Sequence, residues 1–431
     1  MNKVNKNALD FHSQNPKGKF FTCLPEKLRN IDQYKLSLAY SPGVAAPCQE
    51  IHKDPNKIYD YTSKGNTVAV VTNGTAVLGL GNLGAAASKP VMEGKAMLFK
   101  RFANIDALDI EIDETDPNSF IKIVKKISTG WGGINLEDIK APECFLIEEG
   151  LKEILDIPVF HDDQHGTAIV TAAGLINACH IKERNLEELK VVINGAGAAA
   201  VGCINLIKVL GVKKENIITC DTKGVIYQGR TDRMNKWKED LAVNTSCRTL
   251  EEAISDSDVF IGVSAKNVVS KKMIKSMAKN PIIFVMANPD PEILPEEIYE
   301  VRQDAIVATG RSDYKNQINN FLCFPYLFRG ALDVQATIIN NKIKIAAAYA
   351  IAEIARENIT TEISSFLKGK GNNQFGPDYI VPTIFDSRLV TKVSLSVAKA
   401  AVESGVSKKK IQDFKLYEKF LLNNIVRRLD L

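Results

Sequence analysis

Acidic residues gather at two places along this 431-residue chain where a strand is expected to give way to a turn or a helix. Glu137 and Asp138 follow a Gly-Gly turn in GGINLEDIKAPE, and Asp162 and Asp163 stand in PVFHDDQHGTA, after a short strand and before a long helix. Carboxylates at such junctions, with no thiol pattern beside them, suit a hard octahedral ion that prefers oxygen, Mg²⁺ or Mn²⁺. The plainer alternative is capping of helix amino termini by solvated charge. His161 and His165 are four apart, but no glutamate follows the first as HExxH requires, so zinc on these histidines is not expected. Lys95, in PVMEGKAML, has Lys89 and Lys100 near it in sequence, and a lysine crowded by cations or desolvated has its pKa lowered toward a general base. Tyr40, in LSLAYSPGVAAP, precedes Ser41 and Pro42, where the chain turns and holds the phenol on a rigid loop. Taken singly, Lys95 also fits a solvated helix face, and Tyr40 a ring packed under a loop.

Two glycine-rich turns compete for a dinucleotide. The first, GLGNLG with Gly79, Gly81 and Gly84, follows two β-branched runs, TVAVV and TAVLGL, on either side of Asn73-Gly74. That dipeptide predicts a hairpin, which argues against a first parallel strand before the turn. The second holds Gly195, Ala196, Gly197, Ala198, Ala199 and Ala200 in VVINGAGAAAVGCINLIKVLG, where a helix starts at once and its amino terminus can carry a pyrophosphate. Asp221 ends the next strand. An acidic residue there binds the adenine ribose 2′-OH and favours NAD, while Lys223 and Arg230 lie near enough in sequence to neutralise the 2′-phosphate of NADP.

The elements that must position these residues alternate. Up to residue 160 the pattern reads α/β, with a helix over SKPVMEGKAMLFKRFA, a strand LDIEID and a helix FIKIVKKIS. From 161 to 431 the apolar runs KVVING, NIITCD, SDVFIGVS, PIIFVMANP and DAIVATG alternate with helical stretches and predict a doubly wound parallel sheet. Ligands of such sheets bind at the carboxyl ends of strands, which turns Asp221, Ser264, Asn288 and Gly310 toward a crevice. The Ala-rich KIAAAYAIAEIAREN is expected to return the chain over the surface, and KGKGNNQFGP (368–377) to form a loose loop.

Composition bounds the function. With 45% hydrophobic and 25% charged residues the chain can bury a core, and a net charge of +4 gives no reason to expect nucleic acid. Eight scattered cysteines without CxxC spacing read as buried thiols in a reducing compartment. The amino terminus lacks the apolar region of a signal, and the uncharged stretch from Val191 to Ile207 is too short and too glycine-rich to span a membrane, so a cytoplasmic location is expected.

Taken in order, AYSPGVAAPC, GTAVLGLGNLG, KPVMEGK, GGINLEDIKAPECF, PVFHDDQHGTA, GAGAAA, ANPDPEILP and GRSDYKNQINNFLCFPYLFRGALD resemble the malic enzyme family in its compact bacterial-type branch. The resemblance implies an N-terminal catalytic domain (1–160) and a Rossmann-like NAD(P)-binding domain with C-terminal helices (161–431). It implies metal-dependent oxidative decarboxylation of L-malate to pyruvate and CO₂, with NADP favoured weakly over NAD. Carried over residue by residue, it makes Tyr40 the general acid and Lys95 the general base, also in contact with substrate. Glu137, Asp138 and Asp163 would bind Mg²⁺ or Mn²⁺, with Asp162 behind them. The turn from Gly195 to Ala200 would hold the pyrophosphate, and Asn288 and Asn320 would reach the substrate and nicotinamide. The eukaryotic branch clamps a substrate carboxylate with an arginine beside its LGLG segment, where this chain has Ala76. Other members often continue into a phosphotransacetylase-like domain, whereas this chain stops at Leu431, so regulation by acyl-CoA through such a domain is not expected. The family also suggests a homodimer or larger homo-oligomer. Two other classes remain open to the residues themselves: a metal-dependent hydrolase, which leaves the Gly195 turn unexplained, and a catalytically silent dinucleotide sensor.

Overall fold

The run TVAVVT forms strand β1 (Thr67–Thr72), and all six of its residues are buried, as a strand covered on both faces requires. In the computed structural model, which describes residues 3–13, 19, 26–358 and 374–426, β1 lies inside a parallel sheet ordered β2-β1-β3-β4. Its partners are β2 (Asp106–Glu111), β3 (Gly133–Leu136) and β4 (Val159–His161). Val68 pairs with Ala107 on one side and Gly133 on the other, and Leu136 of β3 pairs with His161 of β4. The carboxyl ends of β3 and β4 therefore lie side by side, so the residues following them, Glu137 and Asp138 after one and Asp162 and Asp163 after the other, start from the same edge.

The second sheet has six strands in the order β10-β9-β8-β5-β6-β7. They are β5 (Val191–Asn194), β6 (Ile217–Asp221), β7 (Gly224–Val225), β8 (Val259–Gly262), β9 (Ile282–Val285) and β10 (Ile306–Thr309). All pair in parallel except the two-residue β7. The strand order reverses between β5 and β8, and a crevice opens outside the carboxyl ends of such a pair. The helix Asp162–Ile181 leaves β4 directly and joins the two sheets along the chain. It packs so closely on the helix Ala198–Val209 that a Cβ at Gly202 would collide with the Gln164 carbonyl.

The two units share one continuous hydrophobic core. The late helix Phe324–Asp333 returns to the first sheet, where Phe324 and Phe328 meet Phe99 edge-on at 4.8 and 5.3 Å, and Phe328 meets Phe160 at 5.9 Å. Gly133 has no side chain where one would press on the Phe328 ring.

The α/β reading with parallel sheets stands, but the hairpin does not. β1 pairs only with parallel neighbours; after Asn73 the chain makes a short 3₁₀ turn, Leu78–Leu80, in place of a returning strand. Gly74 does adopt φ = +65° as the dipeptide predicts, but its carbonyl accepts from the N–H groups of Leu83 and Gly84, folding the loop back into the helix Ala85–Ala103. The Ala-rich segment is likewise no surface return. In the helix Asn341–Arg356 the alanines at 347, 348, 350, 352 and 355 are buried, their small side chains allowing close packing in the interior. The predicted loose loop falls largely outside the described residues. Cys144, Cys179, Cys203, Cys220 and Cys323 are buried free thiols, whereas Cys48 is exposed. Among the described residues no helix is long and apolar enough to cross a membrane.

Candidate active site

A cleft of about 380 Å³ opens where the carboxyl edges of the two sheets meet, and Lys95 lies in its wall. Helical geometry selects Lys95 from its neighbours, because six residues along a helix turn the side chain by about 120° relative to Lys89. Lys89 and Lys100 thus point to β2, where they pair with Asp109 and Asp106 at 2.6 and 2.8 Å. Lys95 points inward, with Nζ 2.6 Å from Asp162 Oδ2, 2.8 Å from Glu137 Oε1 and 4.1 Å from the centre of the Phe324 ring. The expectation of a lysine lowered by neighbouring cations is therefore corrected. Burial works against its charge, but Asp162 and Glu137 outweigh burial and hold the ammonium above the ordinary lysine range.

The carboxylates crowd one another. Glu137, Asp138 and Asp163 each offer an oxygen within 4.8 Å of the others. Burial pushes the Glu137 carboxyl well above its ordinary range; Lys95 pulls it back, and Asp163, Asp162 and Asp138 add to the push. Asn135 donates to Glu137 Oε2 at 2.9 Å, and the Asp138 N–H donates to Asp163 Oδ2 at 2.9 Å. Asp138 sits at φ = +52°, a left-handed conformation that aspartate tolerates better than most residues and that recurs at functional sites. Lys95 pairs with two carboxylates, Asp162 and Glu137, while Asp138 and Asp163 crowd in beside Glu137. This excess of negative charge, built wholly from hard oxygen donors, fits a divalent cation of the Mg²⁺ or Mn²⁺ type.

Asp162 adjoins this group on the side of Lys95. It is fully buried, and Asn320 donates to its Oδ2 at 3.2 Å while Thr167 Oγ1 donates to Asn320 Oδ1 at 2.9 Å. The two histidines part: His161 is buried with Nε2 3.3 Å from Asp163 Oδ2, whereas His165 turns to other partners. His165 Nε2 lies 2.9 Å from Glu148, and its Nδ1 3.0 Å from Lys344 Nζ; burial lowers its pKa to about 4 despite Glu148. Asn288 and Ser264 close the far wall of the cleft, and Gly79 of the first glycine turn presses on the Asn288 carbonyl, leaving no room for a side chain. Ala76 lines the cleft and donates its N–H to the Asp138 carbonyl at 2.9 Å.

A larger cavity, about 880 Å³, adjoins the cleft through Val263 and Ser264, which line both. Asn194, Gly195, Ala196 and Gly197 form one side of it, at the point where the strand order reverses. Gly195 has φ = +129°, Gly197 caps the helix Ala198–Val209, and the helix amino terminus faces the space, as a pyrophosphate site requires. Ala199 turns into the smaller cleft, while Ala200 is buried in the core. At the opposite end Asp221 is already engaged. Arg230 Nη2 donates to both its oxygens at 2.9 and 2.7 Å, and Lys238 Nζ to Oδ2 at 2.6 Å. Against the push of burial these bonds hold the Asp221 carboxyl below its ordinary range. Lys223, Lys238 and Arg248 line the cavity there.

Of the residues singled out from sequence, the structure brings Lys95, Glu137, Asp138, Asp163, Ala199, Asn288 and Asn320 to the cleft, and Gly195, Ala196, Gly197 and Asp221 to the adjoining cavity. Tyr40 reaches neither. Its side chain stands 72% exposed on a segment apart from both. Sequence reading missed Thr167, Lys238 and Arg248. Thr167 carried a signal, since it follows Asp163 by four residues on one helix and so shares its face; Lys238 and Arg248 carried none.

Comparisons with known proteins agree along the chain. Residues 18–118 match the family described as "Malic enzyme, N-terminal domain", and residues 164–366 match "Malic enzyme, NAD binding domain". An NADP-dependent malic enzyme of Rhizobium meliloti is 58% identical over 95% of this chain and 54% of its own length. The NADP-dependent malic enzyme of Halomonas elongata is 52% identical over 93% of this chain and 94% of its own. The chain thus spans about half the length of the first of these relatives and nearly all of the second. The crystal structure of malic enzyme from Pyrococcus horikoshii superimposes with a TM-score of 0.87 at 40% identity, covering 99% of this chain and 98% of that one.

Proposed function

The chain belongs to the malic enzyme family, and from that premise we propose that it oxidises and decarboxylates L-malate to pyruvate and CO₂, passing the hydride to NADP⁺ in preference to NAD⁺. The observation that carries this reading is the shared wall at Val263 and Ser264. It sets a lysine-carboxylate cleft sized for a small diacid directly against a dinucleotide cavity.

Glu137, Asp138 and Asp163 would hold Mg²⁺ or Mn²⁺. Such a cation would acidify the substrate hydroxyl and accept electron density as the carboxylate departs. The turn from Gly195 to Ala200 would hold the coenzyme, whose nicotinamide supplies the hydride acceptor. Lys95 takes the hydroxyl proton at Nζ. It does so as a neutral amine, and drawing Glu137 onto a cation removes one of the two carboxylates that keep it charged. Asp162, braced by Asn320 and Thr167, keeps Nζ aimed at the substrate. Asn288 and Asn320 offer neutral donors to the substrate carboxylates, in a cleft where Ala76 supplies no cation. After CO₂ leaves, C3 of the enol takes up a proton; the family resemblance gives that role to the Tyr40 phenol, which stands outside the cleft of its own chain.

The coenzyme preference follows from charge. With Asp221 tied up by Arg230 and Lys238, the ribose end of the cavity presents Lys223, Lys238 and Arg248 to the ligand. A 2′-phosphate gains from that surface, whereas a free 2′-OH finds its acceptor already occupied. The buried thiols suit the cytoplasm.

The test is the initial rate of NADPH and NADH formation from L-malate with Mn²⁺, beside an EDTA control, with pyruvate assayed. Metal-dependent reduction with pyruvate accumulating, faster with NADP⁺, is expected. No reduction by a protein that binds the coenzyme would refute the activity, and faster NADH formation would refute the preference.

A further inference from the structure

A third cavity, about 420 Å³, shares no lining residue with the active cleft or the coenzyme cavity. The helix Asp162–Ile181 stands between: Asp163 and Thr167 line the cleft, whereas His165 lines the third cavity. Asn205 and Lys208 of the helix Ala198–Val209 and Asn341 and Lys344 of the helix Asn341–Arg356 line it as well. Lys344 is only 8% exposed, yet it forms no ion pair among the described residues, and the one hydrogen bond of its side chain goes to His165 Nδ1 at 3.0 Å. His165 brings no charge to that bond near neutral pH, since its pKa lies at about 4. The acid beyond it, Glu148, is already matched by Lys152 at 2.7 Å. Burial, then Lys152, lower the Lys344 ammonium to about 8 in spite of Glu148, so at neutral pH it stays mostly charged and without a counter-charge of its own. Such a group is costly to bury unless an anion meets it. The side chains of Lys208, Asn205 and Asn341 also make no hydrogen bond or ion pair among the described residues, and Leu206 and Val209 give the same cavity an apolar wall.

We propose that this cavity binds a small organic carboxylate, its charge on Lys344 and Lys208, its oxygens within reach of the Asn205 and Asn341 amides, and its short carbon chain along Leu206 and Val209. Bare phosphate would set Leu206 and Val209 against charge, which favours a head with a chain attached. The helices that enclose the cavity also carry Asp163 and begin at the Gly197 turn, so the occupant touches the elements of both other sites without entering either.

The probe is butyrate, followed by the broadening of its NMR signals on the full chain saturated with NADP⁺ and Mg²⁺, beside butyramide as the neutral isostere and inorganic phosphate. This readout is binding, so it stands whether or not the chain turns over malate. Butyrate is expected to bind and butyramide not, and Lys344→Met, which keeps an unbranched side chain in the space, to weaken butyrate about 10-fold or more. Should Lys344→Met fail to fold, Lys208→Gln changes a partly buried side chain at the same cavity and is expected to weaken butyrate by about 2- to 5-fold. No binding of butyrate, or native affinity in the folded lysine variant, overturns the site. Tighter binding of phosphate than of butyrate overturns the carboxylate assignment. Inhibition by butyrate that is competitive with L-malate and unchanged in Lys344→Met would put the ligand in the active cleft and overturn the proposal too.

Discussion

Replacing Lys238 by alanine tests the account of the coenzyme most directly. Its ammonium donates to Asp221 Oδ2 at 2.6 Å, and its side chain is 17% exposed at the rim of the cavity. The substitution removes one cation and leaves the Asp221 carboxylate with Arg230 and the Lys223 N–H, so the ribose end loses one positive charge overall. A charge-assisted hydrogen bond in such a place contributes about 1.5–3 kcal/mol, which corresponds to a fall of about 10- to 150-fold in kcat/KM for NADP⁺. NAD⁺ carries no 2′-phosphate, and the freed carboxylate oxygen can accept its 2′-OH, so kcat/KM for NAD⁺ should hold or rise. The assay is the initial rate with L-malate and Mn²⁺ over a series of each coenzyme. Equal losses for both coenzymes would mean that Lys238 only supports the fold, and no loss for NADP⁺ would place the phosphate elsewhere. Arg230 is a poor substitute for this test. It is buried and also donates to the carbonyls of Val225 and Asp232, so its loss should harm both coenzymes alike.

Three further outcomes are expected. Asp163→Ala should raise the Mn²⁺ concentration for half-maximal rate by an order of magnitude or more, about 10- to 100-fold, and an unchanged titration would move the ion away from this cluster. Gly202→Ala should cost about 1–3 kcal/mol by driving the helix Ala198–Val209 off the Gln164 carbonyl, seen as a Tm lower by about 2–10 °C and weaker coenzyme binding. Glu111 supplies a pH dependence: burial, then its bond and repulsion with Asp109, raise its carboxyl to about 7 in spite of Lys89. The folded chain keeps a proton that the unfolded chain releases, so stability is fully present below the ordinary glutamate range and falls as pH rises to about 7. With solvent screening the loss is about 1 kcal/mol, and Glu111→Gln should remove it, narrowing the Tm gap between pH 5 and pH 8.

What was legible in the sequence was local. The strand, glycine turn and helix at 191–209 could be read because glycine, small residues and a helix onset follow one another within a few positions, and the fold keeps them in that order. The acidic pairs could be placed at strand ends because each lies directly behind its strand. Asn73-Gly74 misled because a positive φ specifies only the bend; whether a second strand returns depends on which backbone groups the Gly74 carbonyl meets, and it met Leu83 and Gly84. The environment of Lys95 was misread by counting neighbours along the chain, although the helical angle alone turns Lys89 and Lys100 away from it. Lys238 and Arg248 were invisible because they reach the ribose end only through tertiary folding. Tyr40 was singled out by type and by resemblance, but nothing in its local sequence says how far from the cleft the fold sets it.

The return of Phe324 and Phe328 to the first sheet has a consequence for the order in which the protein can be made. β4 leaves the ribosome roughly 160 residues before those rings do, an interval of about 8–30 s at 5–20 residues per second. Throughout that interval Phe99, Phe160 and the empty space over Gly133 have no lid, so the nascent amino-terminal sheet must wait, apolar face open, for the last third of its own chain. Translation that pauses between residues 161 and 324 would leave a half-core with its apolar face open to wrong partners.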